Sequence, residues 1–170
     1  MPQAFVCGPH MSTYTVYFLV ATSGRQYAIH ADILRRFSLV FRTFVWAGHE
    51  RNPIYLGTPY ATEAALSIFT RWIYARSTLS FVKPSLWYYR QADETFEDLV
   101  DAWLLGERLG SPDFCNHVIR LFMFNDLHNI PDINKQQIHQ RIPHQHRLHD
   151  ILHCIWWGAV LFSEPELDGE

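Results

Sequence analysis

An α+β fold is predicted for this chain of 170 residues: a cluster of five or more helices capped by a small three-stranded sheet, with extra helices toward the C-terminus. Three observations carry the prediction. Residues 13–20 (TYTVYFLV) and 26–29 are rich in β-branched and aromatic side chains and flank a Ser23-Gly24 turn, so they read as a hairpin. Residues 27–41 (YAIHADILRRFSLVF) hand the return strand directly to two short amphipathic helices. Capped helical patterns then begin at Thr62, Thr95 and Ser111.

Taken in order, residues 1–12 read as a flexible leader. The strand over 13–20 is apolar at successive positions and is expected to be buried on both faces. In the first helix, over 31–37, Ile33, Leu34 and Phe37 share a face. Ser38 is placed to cap a second helix over 39–47, whose stripe is Val40, Phe41, Phe44 and Val45, and Gly48 fits its stop. Ile54, Tyr55 and Leu56 make a third strand. Thr62 caps the next helix, with Glu63 favourably placed at its N-terminus and Ala65, Phe69, Trp72 and Ile73 at helical spacing. Residues 76–92 break the pattern and read as a long loop. Thr95 and Asp98 match a capping box for a helix over 96–109, with Phe96, Leu99, Val100, Trp103 and Leu104 inward. Gly110 ends that helix. Ser111-Pro112-Asp113 starts another, which buries Phe114, Val118, Leu121 and Phe122. Beyond Pro131 the chain turns polar and histidine-rich, and a helical pattern returns over 148–160. Residues 13–124 thus form the main domain, 125–162 a helical extension and 163–170 an acidic disordered tail.

Hydrophobic residues make up 48% of the chain and aromatics 15%, enough for a sizeable core. A net charge of -3 argues against nucleic acid or an anionic membrane as partner. Cys7, Cys115 and Cys154 have no CxxC spacing and read as reduced thiols. The opening residues lack a signal-peptide pattern, and the longest apolar run, 154–162, is far short of the ~20 residues of a membrane span. A cytoplasmic or nuclear protein is expected.

No residue is assigned a catalytic, cofactor-binding or metal role. His30 has only Asp32 as a close ionisable neighbour, and catalysis needs a third group in geometry. His30 is expected to bond locally and fix the strand–helix corner, and Asp32 to help the helix N-terminus. No G-x-S-x-G, phosphate loop or paired carboxylates occur. The competing signal is a histidine cluster: His139, His144, His146, His149 and His153, with Cys154 adjacent. His149 and His153 lie at i,i+4, a spacing that holds zinc when two further ligands arrive. A small zinc-binding protein is the alternative from a different class. Trp156-Trp157 reads equally as a partner anchor or as packing on the domain's own core.

The 27–41 motif resembles the signature of the BTB/POZ domain: an aromatic, a hydrophobic-His pair, a Leu four residues later, then Ser and an aromatic. FTRWIYARS (69–77) looks like the end of that family's third helix. LLGERLGSPDFCNHVI (104–119) looks like its helix–Leu-Gly–helix elbow. The wording is most similar to short stand-alone BTB proteins of filamentous fungi. The resemblance implies that Ile29, His30, Asp32, Leu34, Ser38, Phe41, Phe69, Trp72, Tyr74, Leu109 and Asn116 are fold-signature positions. It implies a non-enzymatic interaction module without cofactors, acting as adaptor or scaffold. Its partner is a cullin scaffold of a ubiquitin ligase, or a second copy of itself as a homodimer; a transcription-linked interaction role without cullin binding is the third form. Partner contact is expected through Arg35, Arg36 and Arg42 and through Leu79, Phe81, Trp87 and Tyr88. Two departures are visible. The loop STLSFVKPS (77–85) lacks the glutamate of the family's cullin-contact motif, and no substrate-reading segment is recognised on the chain.

Overall fold

The computed structural model describes residues 16–44, 53–78, 94–124 and 132–162, without the side chains of 44, 78, 124, 132–134 and 157–162. The expectations for residues 1–15, Phe44, Val45, Gly48, Leu79, Phe81, Trp87, Tyr88, Trp157 and the 163–170 tail lie outside the described residues. What is described is α+β.

Strands β1 (Val16–Val20) and β2 (Gln26–His30) pair antiparallel, with Val16 opposite His30 and Val20 opposite Gln26. β3 (Ile54–Tyr55) lies parallel to β1 on its other side, so the order is β2-β1-β3. Tyr17 and Leu19 face the helices and are buried, whereas Phe18 is exposed. The strand expected to be buried on both faces is buried on this outer face at Val20 but exposed at Phe18.

Helix α1 (Ala31–Phe37) starts immediately after β2, and α2 (Leu39–Phe44) follows a single extended residue, Ser38. Ser38 caps α2 as its position predicts: its Oγ accepts the Phe41 N–H at 3.3 Å. Thr62 does the same for α3 (Glu63–Thr78), accepting the Ala65 N–H at 3.2 Å. α3 runs past the break expected at Arg76, because buried Ala75 extends its inward face by another turn. Glu63 also does more than favour the helix N-terminus: it accepts from Ser23 at 2.6 Å and Arg25 at 3.0 Å, tying the hairpin turn to α3.

α4 (Phe96–Arg108) opens with the Thr95–Asp98 capping box, both halves formed. Residues 99–106 are buried at every position, so α4 is the central helix rather than an amphipathic one. α5 (Pro112–Phe124) lies closely against it. Gly106 permits the approach: a Cβ there would stand 2.7 Å from Phe114 Cδ1 and 3.0 Å from Cys115 Sγ. Between the two helices Gly110 adopts φ 61° and closes α4, while the Ser111 N–H donates to the Gly106 carbonyl at 2.9 Å. Ser111 caps α5 through its carbonyl, which accepts the Phe114 and Cys115 N–H groups; its buried hydroxyl has no hydrogen-bond partner among the described residues.

The helical extension expected over 125–162 contains α6 (Asp132–Arg141), in the polar histidine-rich stretch where no helix had been located, and α7 (Arg147–Phe162). Of the described α6 side chains only Ile138 is fully buried, so no apolar period marks it. Ile138, Ile142, Leu148 and Leu152 join the same core as Phe69, Trp103 and Phe114. No helix among the described residues is long and apolar enough to cross a membrane.

Candidate interaction surface

Residues far apart in sequence meet at the strand–helix corner. The His30 N–H donates to the Tyr74 hydroxyl at 3.1 Å, and His30 Nδ1 lies 2.7 Å from the same oxygen. The histidine expected to bond locally is instead tied to α3. Ser38 Oγ, besides capping α2, donates to the Leu109 carbonyl at 2.5 Å. The first N–H groups of α2 go to the same elbow, Leu39 to the Gly110 carbonyl (3.1 Å) and Val40 to that of Leu109 (3.4 Å). These are donors that a helix N-terminus leaves unpaired, and the α4–α5 turn satisfies them. Under the corner, Trp72 packs against Phe37 (5.4 Å between ring centroids) and Phe114 (5.2 Å), and Phe69 against Phe114 at 5.0 Å. Such pairs each contribute about 0.5–1.5 kcal/mol beyond their burial. Ile29, Leu34, Phe41, Phe69, Trp72 and Leu109 are all buried, while Asn116 is exposed on α5.

The outer surface of α1 and α2 carries the predicted arginines. Asp32 is almost fully exposed and meets Arg35 at 3.5 Å, a pair that water screens strongly. Arg42 reaches back to the Arg35 and Arg36 carbonyls (3.4 and 3.2 Å), satisfying the C-terminal end of α1. Arg36 lies over the Phe37 ring at 5.4 Å. The arginines are thus held in place by the fold, and Leu39 and Val40, 51% and 42% exposed, stand among them. Exposed aliphatic side chains beside positioned guanidinium groups suit a protein partner.

The C-terminal helices bring further charged groups together. Asp101, buried in the middle of α4, receives two hydrogen bonds from Arg141 of α6, at 2.8 and 2.6 Å. That carboxylate raises the proton affinity of Arg141 still further. Glu107 accepts from His146 (2.5 Å) and Arg147 (3.1 Å). His149, expected to share a helical face with His153, turns its Nδ1 to His139 Nδ1 at 2.7 Å. Burial, then His149 and His153, lower the His139 pKa. Among the described residues no three His, Cys, Asp or Glu side chains are grouped to hold a metal ion. Trp156 packs on Phe96 and, edge-on, on His139, part of the domain's own packing.

Two buried groups stand apart. Burial pushes the Cys115 thiol up to about 12, so it stays protonated. Burial, with Arg120 and Arg71 nearby, pushes His117 down to about 4. Asp101 went unremarked in the sequence, although a carboxylate between Val100 and Ala102 in the run LVDAWLL is a signal that it needs a buried partner. Nothing in it named Arg141, and nothing marked His117. A cavity of about 440 Å³ opens between the hairpin turn and β3 beside Ala21, Leu56 and Pro59; among the described residues Tyr55 is the one titratable side chain lining it. No family model and no curated protein matches the chain.

Proposed function

We propose that the chain is a BTB/POZ-type protein-interaction module: non-enzymatic, working in the cytosol or nucleus, and acting as an adaptor that joins a cullin-type ubiquitin ligase scaffold. One observation carries the reading. The three segments that resemble the family, 27–41, 69–77 and 104–119, touch one another: His30 on Tyr74 and Ser38 on Leu109, all four signature positions, and Trp72 on Phe114 within the third segment. A chance likeness in three separate stretches would have no reason to converge on one corner. The α1–α2 surface, with Leu39 and Val40 among Arg35, Arg36 and Arg42, is the partner-facing side of that corner.

Calorimetric titration with the N-terminal region of the source organism's cullin tests it. Saturable one-to-one binding at micromolar Kd or tighter, weakened by Leu39→Asp together with Arg36→Glu, is the expected result. The missing glutamate in the 77–85 loop favours a second reading, a scaffold that pairs with its own copy. Sedimentation that finds a stable homodimer with no cullin binding selects it.

A further inference from the structure

The described ionisable groups include one arrangement whose geometry depends on how many protons it holds. His149 Nε2 lies 3.2 Å from the Pro143 carbonyl, which only accepts, so the proton sits on His149 Nε2. A neutral His149 therefore offers a bare Nδ1. His139 Nδ1, 2.7 Å away, supplies the hydrogen. One added proton is tolerated: His149 then donates from Nδ1 while neutral His139 accepts, its own hydrogen moved to Nε2. A second proton puts N–H on both facing nitrogens and brings two cationic rings, 5.0 Å apart between centroids and within 13° of parallel, together. That state has no hydrogen bond and a like-charge contact.

We propose that the His139–His149 pair is a proton-counting clasp that holds α7 against α6 with no or one added proton and releases it with two.

Among the described residues, the charged groups around the pair are cationic, solvent-exposed or engaged in other contacts. On α7, His153 acts on His139 in the same sense as His149, and Asp150 beside His149 is solvent-exposed. On α6, Lys135 lies one turn before His139 and Arg141 is engaged by Asp101 of α4. In the connecting loop His146 is engaged by Glu107 of α4, and His144 is exposed. Of the carboxylates that α4 presents on this side, Asp101 and Glu107 are engaged by Arg141, His146 and Arg147, Asp98 is held in the Thr95 cap, and Glu97 acts on Arg141. His139 is also half-buried against Trp156, and its pKa is lowered. The second proton therefore enters below the usual histidine range, and opening relieves the repulsion. Release would uncover the apolar side of α7, where Leu148 and Leu152 are buried.

Hydrogen exchange of the full chain, corrected for the intrinsic pH dependence of exchange, tests the clasp. Between pH 7.5 and 5.5 the protection of residues 150–156 should fall about tenfold more than that of α4. His139→Gln keeps a donor toward His149 but takes up no proton, so the extra loss should vanish. Loss in parallel with α4, or an extra loss that persists in His139→Gln, overturns the proposal. Ring-nitrogen NMR of the wild-type chain needs no variant: two protonated rings at pH 5.5 with α7 still protected also overturns it.

Discussion

Acid should destabilise this fold through His117, and the size of the effect follows from its surroundings. The ring is 7% exposed and stacks on Trp72, with Arg120 and Arg71 close enough to oppose a further positive charge. Its pKa falls from 6.5 unfolded to about 4 folded, chiefly by burial. Between those values the unfolded chain binds a proton that the native one refuses, so stability drops as pH falls below 6.5 and levels off, for this group, below about 4. At 1.36 kcal/mol per unit the full effect is about 3 kcal/mol, of which about 2 is lost by pH 5. Urea denaturation followed by circular dichroism at pH 7.5 and 5.0 measures it. Wild type should lose about 2 kcal/mol more than His117→Gln across that interval, since every other titrating group is common to both. Equal losses would refute the argument and mean that the buried imidazole is protonated without opposition.

Other expectations concern packing and reactivity. Gly106→Ala should destabilise by about 1–3 kcal/mol in thermal or urea unfolding, because its methyl would stand 2.7 Å from the Phe114 ring and 3.0 Å from Cys115 Sγ and force the ring to shift. Arg141→Met should lose about 2–3 kcal/mol, below the range for a fully buried pair because Arg141 is 45% exposed, and Asp101→Asn in the same background should recover part of it in a double-mutant cycle. At pH 8, iodoacetamide should label Cys154 in the native protein and leave Cys115 unmodified until denaturant is added, as peptide mass spectrometry would read.

The elements legible in the sequence are those with local grammar. Ser38, Thr62 and the Thr95–Asp98 box mark helix starts by chemistry confined to one turn, and each does so in the structure. Phe69, Trp72 and Phe114 were legible as core because helical spacing puts them inward. What was missed depends on partners distant in the chain. His30 and Tyr74 share a bond across 44 residues, and no local pattern pairs them. α6 has no apolar stripe, being held by Ile138 and by the Arg141–Asp101 pair. The surface was legible only in part: the arginines of α1 and α2 were visible as charges, but Arg42 serves the C-terminal carbonyls of α1, Val40 had read as part of the buried stripe and is exposed, and nothing had marked Leu39 as exposed.

The most direct measurement of the interaction reading is the calorimetric titration of the whole chain with the N-terminal region of its organism's cullin. Saturable one-to-one binding at micromolar Kd or tighter, lost on charge reversal at Arg36 with Leu39→Asp, is the predicted result. A well-folded, monomeric protein that gives no heat with the cullin and no self-association by sedimentation would contradict it.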